Sequence, residues 1–340
     1  MAIVASDLSS VRATPSPYLS WQAAVKSAIR DAGELCRELK LPPELASRSA
    51  ADSFRVFAPR GFVAKMVPGD PADPLLLQVL PRADEAEQAD GFVRDAVGDL
   101  DATRVPGLIH KYHGRVLLIA TGVCAVHCRY CFRRHFPYED APKSLAAWRP
   151  AIETIARDKS VEEVILSGGD PLSLVDHLLE RLFEELDRIS HVKRVRIHTR
   201  LPIVIPERVT DEFVRCLTAM RIAPIVVVHA NHARELAEDV STALAKLRQA
   251  GIPILNQTVL LRGVNDQVDS LVDLSRALVN VGVMPYYLHQ LDRVAGASHF
   301  EVPVARGLEL VEQLRSKLPG YAVPRYVQEV AGESGKRILA

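Results

Sequence analysis

From Arg115 onward, short β-branched runs alternate regularly with amphipathic stretches, and few folds accept that pattern. The strand candidates are Val116–Ala120, Glu163–Ser167, Arg194–Thr199, Ile225–His229, Ile254–Val259 and Met284–Leu288. Helix candidates lie between them near 145–158, 176–189, 207–220, 233–250 and 267–281, with a sixth near 303–318. Strands alternating with helices of this length predict right-handed βαβ crossovers and a parallel sheet. Such a sheet is either open and doubly wound or curled into an incomplete barrel. The polar residues favour the barrel. A cysteine cluster follows the first strand, Ser167-Gly168-Gly169-Asp170 the second, His198-Thr199-Arg200 the third and His229-Ala230-Asn231-His232 the fourth. The fifth strand carries Asn256-Gln257, and the sixth runs into His289-Gln290-Leu291-Asp292. Strands that all aim reactive groups at one cavity belong to a barrel, whereas an open sheet gathers them at a switch point. The expected architecture is therefore α/β, a partial (β/α)6 TIM-like barrel over residues 111–320.

Residues 1–110 read differently. Apolar positions at three- and four-residue spacing predict a helix from Trp21 to about Leu39, followed by Pro42-Pro43 and a loop around Pro68-Gly69-Asp70-Pro71. No catalytic constellation stands before His110, so this mainly helical region is expected to pack and cap. The start, MAIVASDLSS, lacks the basic and long apolar segments of a secretory signal, and no apolar run approaches the ~20 residues of a membrane helix. A cytoplasmic location is expected. In the 340 residues, 42 Lys+Arg balance 42 Asp+Glu, so no broad basic field recruits nucleic acid or an anionic membrane.

Five cysteines are too few for a disulfide scaffold, and three of them, Cys124, Cys128 and Cys131, crowd onto the loop after the first strand. The spacing Cys-x3-Cys-x2-Cys lets three sulfurs face one small object. Structural zinc wants four ligands, which here would need His127 or His135. Three thiolates also suit an iron–sulfur cubane and leave its fourth iron open for chemistry. Cys36 and Cys216 fall in helical stretches and are expected to pack.

The cysteine loop resembles that of radical S-adenosylmethionine (SAM) enzymes. The resemblance implies a [4Fe-4S] cluster on Cys124, Cys128 and Cys131 whose open iron is chelated by SAM. It also places Gly168, Gly169 and Asp170 where that superfamily presents backbone to the SAM amino group, and it assigns His229 and Gln257 to cofactor contacts. The segments Cys128-Arg-Tyr-Cys131-Phe-Arg133-Arg134, Ser167-Gly-Gly-Asp170-Pro, Leu255-Asn-Gln257 through Arg262-Gly-Val-Asn265-Asp266, and Pro285-Tyr-Tyr-Leu-His289 through His299-Phe300 resemble the lysine 2,3-aminomutase family over residues 55–337. The loop Cys131-Phe-Arg-Arg-His-Phe-Pro-Tyr138 is similar to the EpmB branch, which makes (R)-β-lysine for elongation factor P.

That family also uses pyridoxal 5'-phosphate (PLP). The resemblance puts the PLP-bearing lysine at Lys336, in a segment 321–340, after Gly332-Glu333-Ser334-Gly335. It assigns the PLP phosphate and ring to Lys111, Tyr112 and Arg115, the substrate carboxylate to Arg133, and the substrate side-chain ammonium to Asp292 and Glu329. Position 329 is aspartate in the family, so Glu329 is a departure, as is His289 where related enzymes have tyrosine. The N-terminal region and residues 320–340 are the expected lids. The chain stops at Ala340 without the cysteine-bearing tail of some longer aminomutases, so any dimer is expected to use other surfaces. An external electron donor such as flavodoxin or ferredoxin is implied, as is a functional link to elongation factor P and its lysyl-transferring ligase. The alternatives are a radical aminomutase on another amino acid such as glutamate, lysine already attached to elongation factor P as substrate, and a non-catalytic metal scaffold. Two acids at one end of the site favour lysine over glutamate.

Overall fold

The computed structural model describes residues 20–340, so the MAIVASDLSS segment lies outside the described residues. A single sheet of ten strands runs in chain order: β1 Thr103–Val105, β2 Leu108–Tyr112, β3 Arg115–Thr121, β4 Glu163–Gly168, β5 Arg194–Thr199, β6 Ala223–Val228, β7 Ile254–Val259, β8 Met284–His289, β9 Arg325–Gln328 and β10 Arg337–Ile338. β3 to β9 are parallel, and β1, β2 and β10 are antiparallel additions at the two ends. β1 and β10 are not paired with each other, so the sheet is open, a partial barrel as expected.

The period of two along each strand separates two faces. Val116, Val164 and Val195 share a register and, like Ile197 and its partner Val226, are buried against the helices, whereas Leu117, Ile165, Arg196 and Ile225 line the concave cavity. The outer helices bury one stripe each. Leu145–Arg157 buries Trp148, Ala151, Ile152 and Ile155, and Asp176–Asp187 buries Leu179, Leu182, Phe183 and Leu186, the three- and four-residue spacing of an amphipathic helix. Ser144 and Thr210 cap the starts of Leu145–Arg157 and Asp211–Thr218 by accepting from the Ala147 and Phe213 amides.

Three expectations change. The single helix expected from Trp21 to Leu39 is two, Trp21–Lys26 and Ala32–Glu38. Between them Ile29 exchanges backbone hydrogen bonds with Ala58 at 2.8 and 2.9 Å, and Asp31 caps the second helix through the Glu34 amide at 2.7 Å. A β-bridge and a strong N-cap thus outweigh the continuous apolar spacing. The N-terminal region also ends in strand, because β1 and β2 zip onto β3 as a meander. The C-terminal segment, expected as a lid, carries two strands: β9 adds a further parallel strand after the expected six, and β10 folds back on it.

Candidate active site

One cavity of about 770 Å³ opens at the carboxyl ends of the parallel strands, and every site residue expected from the sequence lines it. Cys124, Cys128 and Cys131 lie on the loop after β3, all unpaired. The loop is fixed from behind by the N-terminal region. Arg129, fully buried, donates to Glu85 at 2.8 Å and to the Ala50 carbonyl at 3.1 Å, while its amide bonds the Gln78 carbonyl at 2.8 Å. Arg134 joins the other oxygen of Glu85 at 2.6 Å. The packing role expected of residues 1–110 is therefore specific: it anchors the residues interleaved with the thiols.

Among the described residues no three His, Cys, Asp or Glu side chains close on a single ion. His127 and His135 each bond a backbone carbonyl through one ring nitrogen, of Arg55 at 2.8 Å and Ala295 at 3.0 Å, and among the described residues neither forms an ion-sized group with the thiols. A bulkier body held by three thiolates fits better. Burial, then the neighbouring Cys131, Asp170 and Cys128, pushes the Cys124 thiol well up; burial, then Cys128, pushes Cys131 to about 11. Ligand-free thiols so placed are neutral, and charging them needs a cationic partner such as iron. Donors are already present: Arg200 Nη1 reaches the Cys128 sulfur at 2.8 Å, and the Arg133 amide bonds Cys131. The residues fit a cluster.

Gly168 and Gly169 lie hard against this loop. Gly168 has φ +112°, and a Cβ on Gly169 would stand 2.4 Å from the Val123 carbonyl oxygen, so only glycine lets the two backbones approach. The Asp170 carboxylate is fully engaged by Thr199 Oγ1 at 2.7 Å and by the amides of Leu172, Arg200 and Leu201 at 3.0, 2.7 and 3.1 Å. It staples the turns after β4 and β5 together, so its contribution toward a cofactor is to shape the glycine backbone. His229 and Gln257 face the cavity from the ends of β6 and β7. Burial, then Arg200 and Lys336, lowers His229 to about 4, so it is a neutral ring.

On the opposite wall two acids organise three cations. Asp99 accepts from Lys111 Nζ at 2.6 Å and from Arg133 Nε at 2.6 Å. Burial opposes its charge, but Arg133 and Lys111 hold its carboxyl below the usual range. Glu329 bonds Lys336 and the Tyr112 hydroxyl and lies 3.6 Å from Lys111. Burial opposes its charge too, and Lys336, Tyr112 and Lys111 prevail and lower its pKa. Arg115 stacks 4.5 Å over the Tyr112 ring and has no carboxylate partner among the described residues. The unpaired Arg115 guanidinium, the Lys111 ammonium held by Asp99 and the Tyr112 face lie in one corner beside Lys336, a set that suits the phosphate and ring of PLP. Asp292 is buried with Oδ1 lacking any partner, and burial, offset by Lys336 and reinforced by Glu329, raises it to about 7. His289 Nε2 and His198 Nε2 are likewise buried and unpartnered, with burial depressing both rings well below 6.5.

Asp99, Ser167, Arg200, Glu235 and Glu85 are absent from the residues expected at the site. Asp99 stands in the turn Val97-Gly98-Asp99-Leu100 with no motif around it, and Glu85 sits in a polar stretch that reads as surface. Ser167 and Arg200 were visible as polar groups at strand ends, but spacing alone gave them no partner.

Comparison with known proteins decides what this geometry belongs to. Residues 118–274 match the model of the radical SAM superfamily. The chain is 46% identical to L-lysine 2,3-aminomutase of Escherichia coli, over 96% of each chain. It belongs to the lysine 2,3-aminomutase family of radical SAM enzymes. The family's isomerase from Haemophilus influenzae is 44% identical over 94% of this chain and 96% of its own, and that from Clostridium subterminale 37% over 93% and 76%. Among solved structures, Streptococcus suis SuiB matches with a TM-score of 0.49 and 13% identity, over 64% of this chain and 50% of that one. Membership of the radical SAM superfamily implies a [4Fe-4S] cluster and SAM. No helix among the described residues is long and apolar enough to cross a membrane.

Proposed function

We propose that this chain is an L-lysine 2,3-aminomutase that makes (R)-β-lysine with a [4Fe-4S] cluster on Cys124, Cys128 and Cys131, SAM, and PLP carried by Lys336. One observation carries the reading: a buried guanidinium, Arg133, and two half-buried acids, Asp292 and Glu329, line the same cavity as the three thiols and Lys336. A ligand with a carboxylate at one end and an ammonium at the other matches that charge pattern. Glutamate, anionic at both ends, would leave the two acids facing a third.

When bound, the cofactors supply the one-electron and imine chemistry needed to shift an amino group onto an unactivated carbon, which no side chain can perform. The protein's own residues do the rest. Asp99 and Ser167 hold Arg133 Nε and Nη1, at 2.6 and 3.1 Å, leaving Nη2 for the substrate carboxylate. Glu329 holds the Lys336 ammonium in the ligand-free protein. Were Lys336 to carry PLP, Glu329 would lose that ionic partner and, with Asp292, would be placed to accept the substrate's side-chain ammonium. Lys111, Arg115 and Tyr112 suit the PLP phosphate and ring, and His229 and Gln257 the SAM side. The buried walls exclude water from a reactive centre.

The similarity to the E. coli enzyme over the whole chain supports the branch linked to elongation factor P and its lysyl-transferring ligase, with a flavodoxin or ferredoxin as donor in the cytoplasm. In this reading the described part of the N-terminal region, residues 20–110, clamps the cluster loop, 111–320 form the barrel and 321–340 deliver Lys336. Anaerobic reconstitution with iron, sulfide and PLP, followed by chiral analysis of products from L-lysine plus SAM, tests it. (R)-β-Lysine is expected; recovery of unchanged lysine while SAM is cleaved would point to another amino acid.

A further inference from the structure

Behind the cysteine loop, away from the lysine-binding wall, runs a chain of buried polar groups that the reaction as described does not use. Arg200, at the end of β5, donates Nη1 to the Cys128 sulfur at 2.8 Å and Nη2 to Gln78 Oε1 at 2.6 Å and Glu235 Oε2 at 3.0 Å. Its ring-like guanidinium lies 5.4 Å from the Phe62 ring and 5.7 Å from that of Tyr130. Glu235 is fully buried and pinned in turn: its Oε1 accepts from the amides of Asn231 at 2.9 Å and His232 at 3.1 Å, and from Gln78 Nε2 at 3.1 Å. The Arg200 amide is held by Asp170 at 2.7 Å. Gln78 and Glu235 are fully buried, so bulk water cannot rearrange to replace either of them.

We propose that Arg200, with Glu235 as its counter-ion, sets the one-electron reduction potential of the cluster ligated by Cys128. The electrostatics follow from position. Reduction adds one electron, taken from a low-potential reductant, and that negative charge spreads onto the sulfurs; no bond breaks and no proton moves at Arg200. A guanidinium whose N–H points at a ligand sulfur in a buried setting stabilises the more negative state and raises the potential. Glu235, which bonds the other terminal nitrogen, Nη2, and not the one at the sulfur, subtracts from that field without cancelling it. The pair acts as a fixed dipole with its positive end on the cluster. Arg200 is a positioning residue, since it touches the ligand sulfur and not the substrate.

The two halves of the dipole have opposite signs, which is the test. The inference rests on the reading of Cys128 as a cluster ligand, checked separately by iron content: Cys128→Ser must lose the cluster, and if it keeps a full complement of iron that reading fails. The reconstituted wild-type enzyme, Arg200→Met, Arg200→Lys and Glu235→Gln are titrated anaerobically with dithionite and mediators, the reduced cluster being followed by electron paramagnetic resonance without SAM or lysine. Arg200→Met should make reduction at least about tenfold less favourable, a shift of about 59 mV to lower potential for one electron. Arg200→Lys should recover part of that shift, and Glu235→Gln should move the midpoint the other way. Unchanged midpoints, or midpoints that all move in one direction, would overturn the proposal. If Arg200→Met does not retain iron, the opposite displacements of Arg200→Lys and Glu235→Gln decide it.

Discussion

Replacing Arg133 by alanine tests the substrate end of the site with a magnitude that can be worked from the geometry. Of the guanidinium's donors, Nε is taken by Asp99 at 2.6 Å and Nη1 by Ser167 at 3.1 Å, and the plane packs 4.7 Å over the Phe132 ring. Nη2, with what remains of Nη1, is left for a ligand carboxylate. A charge-assisted hydrogen bond contributes ~1.5–3 kcal/mol, so losing it weakens lysine binding by about 10- to 150-fold at 1.4 kcal/mol per decade. Asp99 retains Lys111 at 2.6 Å in the variant, so the loss falls on the ligand rather than on a stranded buried anion. The assay is calorimetric titration of L-lysine into PLP-loaded enzyme without SAM, where no turnover occurs. Cadaverine, which is lysine without its carboxylate, provides the control: its affinity should be the same for wild type and Arg133→Ala. Equal losses for lysine and cadaverine would show that the substitution deforms the pocket, and no loss for lysine would refute the carboxylate role.

Lys336→Ala should abolish the borohydride-trappable PLP adduct while iron content is retained; a surviving adduct would assign the cofactor to another lysine. Because burial raises Asp292 to about 7, its carboxyl is mostly protonated below that pH and ionised above it. Lysine affinity should therefore rise between about pH 6 and 8, where the amino acid's own side chain stays charged, and the rise should vanish in Asp292→Asn. Glu85→Gln weakens both Arg129 and Arg134 inside the protein, where disrupting a buried ion pair costs about 3–5 kcal/mol. A lower urea midpoint together with poorer iron retention is expected, and an unchanged midpoint would show that the N-terminal clamp is dispensable.

The parallel sheet and its cavity were legible in the chain because both depend on local periodicity. Alternation of two in the strands and spacing of three and four in the helices fix which face of each element is apolar, and the six expected strands and helices lie within a few residues of their places. The cysteine spacing likewise carries its own chemistry, since three thiols on one short loop need no tertiary information to converge. The short end strands were not legible. Thr103–Val105 and Arg337–Ile338 are too brief to have a period and become strands only by pairing with neighbours already in place. The break between Trp21–Lys26 and Ala32–Glu38 also depends on a distant partner, Ala58. The same limit governs the site. The family resemblance pointed to Arg133, Asp292, Glu329 and Lys336, but not to Asp99, which joins Arg133 to Lys111 from 34 residues away from Arg133. Nor could it show that Arg200 and Glu235 meet beneath Cys128. Charge type is written residue by residue, whereas which charge neutralises which is settled only when burial strips away water and leaves each ion to the partner the fold brings within reach.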